Sequence, residues 1–206
     1  VLGTNNDWSS DAAADQFATM ATSVGAFPLP RPSRDAVLLR SLAPGSYTTQ
    51  LSAASGPRGV ALVEVYAGTV AGVRLANLSA RARAGTGTGT LIAGFVVDVP
   101  AMGSTRTLLI RAVGPTLASF GVPGVLADPR LTIYRGDVRV GGNDDWNRDS
   151  GVTAGAFTQF GAFALPPGSK DAALLVNLPP GAYSVHVSSG DGGSGVALVE
   201  IYEVDS

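Results

Sequence analysis

Two short runs of the chain are rich in carboxylate and amide side chains, and each is followed directly by a tryptophan. The runs are Asn5, Asn6, Asp7 and Trp8 near the start, and Asn143, Asp144, Asp145 and Trp146 further along. Clustered Asp and Asn oxygens in a loop can supply several of the roughly six to eight ligands that Ca²⁺ takes. The six acidic and amide residues are therefore calcium candidates, although their spacing is not that of an EF-hand loop.

Turn chemistry is the other interpretation of these runs, and we favour it. Asn and Asp side chains bond to nearby backbone amides and tolerate left-handed backbone conformations. The first run also has one carboxylate fewer than the second. We accordingly expect no bound cofactor, with calcium as the alternative.

The two tryptophans allow two roles. An exposed Trp8 or Trp146 could stack on a sugar ring, which would make the protein a glycan-binding module. More commonly, such a ring closes the end of a β-sandwich and its indole NH bonds to backbone. We favour the packing role and keep glycan stacking as the alternative.

Glu64 and Glu200 lie inside otherwise apolar strands. Period-two alternation places Glu200 on the face of Tyr202. If buried, this carboxylate needs a partner, for which Arg111 and Arg135 are candidates, or it is a general acid with a raised pKa. We favour a third interpretation, in which it is an edge-strand charge that blocks wrong pairing. No second carboxylate is clearly placed to complete a catalytic pair.

The histidine and cysteine content of the chain gives little support for nucleophilic or metal-dependent catalysis. His186 is the only histidine, and alternation places it on a face with Ser184 and Ser188 that we expect to be solvated. A Ser-His-Asp triad would need this histidine, yet no G-x-S-x-G motif occurs. The absence of cysteine excludes thiolate chemistry and Cys-ligated zinc. We therefore predict that the protein is not an enzyme.

Composition limits the partners and the location. Charged residues make up 15% of the chain against a usual value of about 25%. A formal net charge of −2 provides no electrostatic footprint for nucleic acid. No apolar run approaches the roughly 18–20 residues of a membrane span. Low charge and Thr/Ser/Gly-rich segments favour an extracellular or cell-surface location, and the start at Val1 rather than Met suggests a processed or truncated product.

The chain contains an internal repeat, and most of the candidate residues lie within its two copies. Residues 2–66 align with 140–202, and the closing strings 59–66 and 195–202 agree at seven of eight positions. Each copy contains short apolar runs, a Pro-Gly turn and an alternating segment, all typical of β-strands. Only residues 10–21 suggest a short helix.

Residues 74–137 occur once and read as about four further strands, which we term the upstream half. The repeat copy that follows it, up to residue 206, is the downstream half, and the two halves together form a predicted complete β-sandwich unit over 74–206. We predict a linker at 69–73 and a second downstream half, without an upstream half, over 1–68. The predicted fold is all-β, an antiparallel sandwich of jelly-roll or immunoglobulin type.

The half unit over 1–68 should expose strand edges and one apolar face. Its missing strands could lie upstream in a longer array. They could instead come from a neighbouring subunit by strand addition or domain swapping, which yields a filament when the contact does not close. As a third possibility, both downstream halves share the single upstream half in one fused sandwich.

Several strings carry a resemblance to known bacterial modules. They are LIAGFVV (91–97), LLIRAVGPTLASFGVPGVLADPRLTIY (108–134), NDDW (143–146), DAALLVNLPPGAY (171–183) and GVALVEIYE (195–203). They resemble a repeat module of large secreted and surface proteins of bacteria that is common in the Verrucomicrobia. The downstream half is also similar to the bacterial pre-peptidase C-terminal domain, which implies a non-catalytic accessory sandwich that binds calcium or glycan.

These observations together predict a non-enzymatic extracellular structural module. It would assemble into an array or filament by strand sharing or donor-strand complementation, with copies of itself or neighbouring repeats as partners. The alternative is a carbohydrate- or calcium-binding accessory or adhesion module of a larger secreted bacterial protein.

Overall fold

The computed structural model describes residues 1–56, 59–67, 75–98, 103–148 and 150–204. The chain divides into two compact units, Val1–Arg74 and Leu75–Ser206. The linker predicted at 69–73, with its neighbours 68 and 74, lies outside the described residues.

The second unit is an antiparallel β-sandwich of two four-stranded sheets. Its strands are β1 (Asn77–Ala84), β2 (Leu91–Val97), β3 (Arg106–Val113), β4 (Pro129–Arg135), β5 (Val138–Asn143), β6 (Ala172–Leu178), β7 (Gly181–Ser189) and β8 (Gly195–Val204). The all-β sandwich expected from the sequence is confirmed, and β4, the turn at 136–137 and β5 form a hairpin.

The two halves of this unit are interleaved. One sheet has the order β1-β8-β3-β6 and the other β2-β7-β4-β5. Strands β1–β4 come from the upstream half, and we call β5–β8 the downstream strands. Each of the strand pairings joins an upstream strand to a downstream strand, so neither half supplies a ladder by itself.

The main core lies between the sheets and follows the period-two pattern of the strands. Along β7, Tyr183, Val185 and Val187 are buried, whereas Ser184 and His186 are only partly covered. Side chains from both halves fill this core, among them Leu108, Ile110, Leu131, Ile133, Val199 and Ile201.

A second core covers the outer face of the sheet that contains β3, which is therefore buried on both sides. It is centred on Trp146 and Phe157, whose rings meet edge to face at 5.2 Å. Phe157 belongs to α2 (Ala154–Gln159), a six-residue helix without a side-chain cap that the sequence pattern did not predict.

The first unit contains a 3-10 turn at Trp8–Ser10 and helix α1 (Ala14–Ser23). The helix confirms the expectation of a short helix near 10–21, displaced by a few residues. Trp8, Ala14 and Phe17 form a small core against Leu29, Val37 and Leu39. Within 1–56 and 59–67 no β-strand forms. In the described part of the chain, no helix has the length and apolar character required to cross a membrane.

Candidate functional site

The acidic run of the second unit is held by turn chemistry. The side-chain Nδ2 of Asn143 donates to the Arg148 carbonyl at 2.7 Å, and its Oδ1 accepts from the Ala173 backbone NH at 3.1 Å. Both functional atoms of this amide are therefore engaged by backbone, as the turn interpretation expects.

The two carboxylates of the run face cationic side chains of the protein. Asp144 lies 3.1 Å from Arg130, and Asp145 lies 3.0 Å from the Lys170 ammonium. Burial and the charge of Asp144 raise the pKa of the adjacent Asp128. In the described ranges, no group of three or more His, Cys, Asp or Glu side chains is arranged to hold a metal ion.

The run of the first unit repeats part of this arrangement. Asn5 Oδ1 accepts from the Val37 backbone NH at 3.1 Å, the bond that Asn143 makes to Ala173. Asn6 donates to the Asp7 carboxylate at 3.3 Å. Asn5 and Asn143 thus each tie their run to the backbone of a later segment, at Val37 and Ala173. Calcium binding by either run stays a prediction.

Both tryptophans lie in the interior. Trp8 is 3% exposed and Trp146 is 5% exposed. The Trp146 indole NH donates to the Pro166 carbonyl at 3.1 Å, and that of Trp8 donates to the Ser33 hydroxyl at 2.8 Å. This burial corrects the glycan-stacking alternative, because a stacking ring must offer an open face to the sugar.

The same local bonds hold the downstream half in both units. The Trp8 amide donates to the Asp35 carbonyl and the Trp146 amide to the Asp171 carbonyl, each at 2.8 Å. The hydroxyls of Tyr47 and Tyr183 each donate at 2.8 Å to the carbonyl four residues earlier. The first unit is therefore locally organised as a downstream half.

In the second unit, a buried ion pair joins the two halves. Arg111 of β3 is fully buried, and its Nε donates to Glu200 of β8 at 2.9 Å. The guanidinium also donates to the Phe163 carbonyl and lies 4.2 Å from the centroid of that ring. The Tyr202 hydroxyl donates to the second Glu200 oxygen at 2.7 Å.

This geometry corrects the favoured interpretation of Glu200 as an edge-strand charge. Strand β8 lies between β1 and β3, so Glu200 is in the interior of a sheet and 5% exposed. Of the two candidate partners, Arg111 makes the pair, whereas Arg135 donates to the Pro180 carbonyl at 3.0 Å. Arg111 and Tyr202 thus engage both oxygens of the Glu200 carboxylate.

A second buried carboxylate, Asp171, joins the halves at the end of β3. It accepts from the Gly114 amide at 2.8 Å and also from the Thr116 hydroxyl, and it is 0% exposed. Asp171 was not among the candidate site residues that the sequence patterns indicated. The available signal was the Asp that heads the apolar run in both copies, Asp35 and Asp171.

The first unit exposes the residues that correspond to the main core of the second. We term the apolar set Leu42, Tyr47, Leu51, Val63 and Val65 the open face; their exposures are 50%, 49%, 55%, 51% and 51%. Their repeat counterparts Leu178, Tyr183, Val187, Val199 and Ile201 are exposed by 3%, 4%, 0%, 1% and 6%. The same half is therefore covered in one unit and uncovered in the other.

The polar residues show the same contrast. In the first unit, the Tyr66 hydroxyl donates to Glu64 at 3.0 Å, which repeats the bond between Tyr202 and Glu200. Glu64 and Asp35 are nevertheless exposed, whereas Glu200 and Asp171 are buried against the upstream half.

His186 is half-buried rather than fully solvated as expected. Its Nε2 lies 3.0 Å from the Ser184 hydroxyl, and its ring lies 4.7 Å from that of Tyr134. Burial lowers its pKa. The contacts of this ring among the described residues are those with Ser184 and Tyr134.

Comparisons with known proteins add little. No protein-family model and no curated protein matches the chain. A solved structure of the pre-peptidase C-terminal domain of a collagenase from Bacillus anthracis is 12% identical, with a TM-score of 0.36 over 61% of this chain and 88% of that chain.

Proposed function

We propose that this protein is a non-catalytic structural module of the bacterial exterior that joins polypeptide segments by sharing β-strands. The open face of the first unit is the observation that carries this proposal. The module would belong to an array or filament in which strands from outside residues 1–67 complete the sandwich.

Hydrophobic burial supplies the driving force. Fully burying one large apolar side chain contributes about 1.5–3 kcal/mol. The five residues of the open face are already about half covered, so burying the remainder contributes on the order of 5 kcal/mol. Ordering the strands opposes this gain at about 1–2 kcal/mol per residue. Ladder hydrogen bonds and further apolar contacts must offset the remainder, which favours a partner that covers the whole face.

Low charge supports close packing between units. Charged side chains make up 15% of the chain, so neighbouring surfaces approach with little desolvation of ions. An extracellular or cell-surface location is part of this proposal and is supported by the same composition.

Concentration-dependent association tests whether the open face is a binding surface. We expect residues 1–206 to bind an apolar dye and to associate at high concentration, as exposed apolar patches do. Val63→Asp should reduce both effects and leave the melting of residues 75–204 unchanged. A monomer that binds no dye and strongly protects the amides of 36–66 would contradict the proposal.

A calcium-binding accessory role is the alternative function. It would require Ca²⁺ to displace Arg130 and Lys170 from Asp144 and Asp145. We expect saturating Ca²⁺ to change the free energy of unfolding by less than about 0.5 kcal/mol. A stabilisation above about 2 kcal/mol would favour the metal site instead.

A further inference from the structure

We propose that the open face receives a complete four-stranded upstream half, related in sequence to residues 75–138 and carrying a buried arginine for Glu64. This inference rests on the proposed function, because it names the partner that would complete the first unit.

The interleaved order requires four strands rather than one. In the second unit, β7 lies between β2 and β4, β8 lies between β1 and β3, and β5 and β6 each have one upstream neighbour. A single donated strand would pair with at most two downstream strands. The others would keep unpaired backbone groups, which are costly once buried.

The polar residues of the first unit specify the chemistry of that partner. Glu64, Tyr66 and Phe27 occupy the repeat positions of Glu200, Tyr202 and Phe163, whose carboxylate, hydroxyl and ring surround Arg111. An arginine at the matching position of the incoming third strand would pair with Glu64. The planar guanidinium suits a bidentate, ring-stacked site in a way that lysine does not.

Asp35 sets a second requirement. Its counterpart Asp171 accepts bonds from the Gly114 amide and the Thr116 hydroxyl in the turn after β3. A Cβ on Gly114 would lie 2.2 Å from the Leu126 carbonyl oxygen, so that turn needs glycine. The partner should therefore carry a Gly-x-Thr turn directly after its arginine-bearing strand.

A second copy of residues 1–206 is a poor source for this half. These residues contain two downstream halves and one upstream half, and the strands of the upstream half already pair with β5–β8. Any exchange among copies would leave one downstream half per chain uncovered. The partner is therefore an upstream half carried by a different polypeptide segment.

The repeat offset shows where such a half would join. Asn5 aligns with Asn143, so Val1 aligns with Arg139. Placing an added copy of residues 75–138 directly before Val1 of the full chain should therefore build a second complete unit. The existing 75–204 sandwich serves as an internal control for folding.

Hydrogen exchange measures the outcome. We expect backbone amides within 47–52 and 60–66 to exchange on the order of 100-fold more slowly in the extended chain than in residues 1–206, because ladder amides exchange only on opening. Apolar dye binding should fall at the same time. Arg111→Leu in the added copy should remove most of this protection, and Glu64→Gln should do the same.

Three outcomes would overturn this inference and separate it from the proposed function. If these amides stay unprotected both in the extended chain and in a co-expressed pair of residues 1–206 and 75–138, while the 75–204 unit melts normally, the partner assignment fails and another segment must donate the strands. Protection of 36–66 within oligomers or fibres of residues 1–206 alone would identify a second copy as the donor and support strand sharing. Protection in a monomer of residues 1–206 would contradict both proposals.

A second experiment avoids the artificial peptide junction before Val1, which could itself prevent folding. Residues 75–138 can be co-expressed as an independent chain with residues 1–206. Co-purification at a one-to-one ratio with the same protected amides supports the inference. Failure in both formats overturns it.

Discussion

Two glutamates at equivalent repeat positions have opposite environments. Glu200 is buried against Arg111, whereas Glu64 is exposed and accepts a hydrogen bond from the Tyr66 hydroxyl. Removing one partner of a buried pair leaves an uncompensated charge in the interior, which costs far more than losing a surface contact. This contrast gives a matched pair of substitutions.

Glu200→Gln should lower the free energy of unfolding of the second unit by about 3–5 kcal/mol, because it leaves Arg111 charged and without its carboxylate. Glu64→Gln, the control, should change stability by less than about 0.5 kcal/mol. Urea unfolding measures both, with Trp146 fluorescence in a Trp8→Phe background for the second unit and Trp8 fluorescence in a Trp146→Phe background for the first. Equal effects at the two positions would show that Glu64 is as buried as Glu200.

His186 predicts a pH dependence of stability. Burial lowers its pKa in the folded state below the unfolded value of 6.5, so the unfolded chain binds more protons between the two pKa values. Stability should therefore decrease as the pH falls below about 6.5 and level off beneath the folded-state pKa. Comparing wild type with His186→Gln by thermal melting from pH 7.5 to 5 isolates this contribution; identical slopes would refute it.

At the residue scale, the sequence predicts which face of a strand a side chain occupies better than whether that strand lies at the edge or in the interior of its sheet. Alternation correctly placed Glu200 with Tyr202, but it could not tell an edge strand from an interior one. That distinction depends on β1 and β3, which lie far from β8 in sequence. The roles of Trp8 and Trp146 were foreseen because a ring and its NH need packing and a partner in any fold.

At the scale of elements, the strands of the second unit follow from local composition, whereas their order does not. Apolar runs, Pro-Gly turns and alternation identified β4 to β8. The interleaving depends on pairings between residues far apart in the sequence, such as Asn77 with Tyr202. Helix α2 was missed because six residues carry too little periodicity.

Leucine truncations at equivalent positions should separate covered from uncovered strands. Leu178→Ala at the end of β6 should cost about 2–5 kcal/mol, since it leaves a cavity in the main core. Leu42→Ala should leave the melting of both units within experimental error, because its side chain is half exposed. A large loss of stability from Leu42→Ala would mean that the open face is covered in solution.

At the scale of the molecule, the two units share the local structure of a downstream half and differ in whether an upstream half covers it. The described downstream residues of each unit share their local bonds, and only the second adds an upstream half. Exposed apolar surface should therefore be confined to residues 1–67, apart from scattered side chains elsewhere.

Deletion tests this division. A chain of residues 75–206 should melt at the temperature of the sandwich in the full chain, within about 2 °C, given that about 1 kcal/mol shifts a domain of this size by several degrees. It should also bind little apolar dye. Differential scanning calorimetry with dye titration measures both, and a markedly lower melting temperature would show that the second unit depends on the first.

The position of β8 between β1 and β3 has a consequence for biosynthesis. Because β8 is the last strand of the second unit in sequence order, β1 stays separate from the β3–β6 pair until β8 has been synthesised. A product that stops short of Gly195 would carry two unsatisfied strand edges flanking the gap, a surface that proteases and chaperones recognise. The order of strands thus makes the β1-β8-β3-β6 sheet complete only in a unit that contains β8.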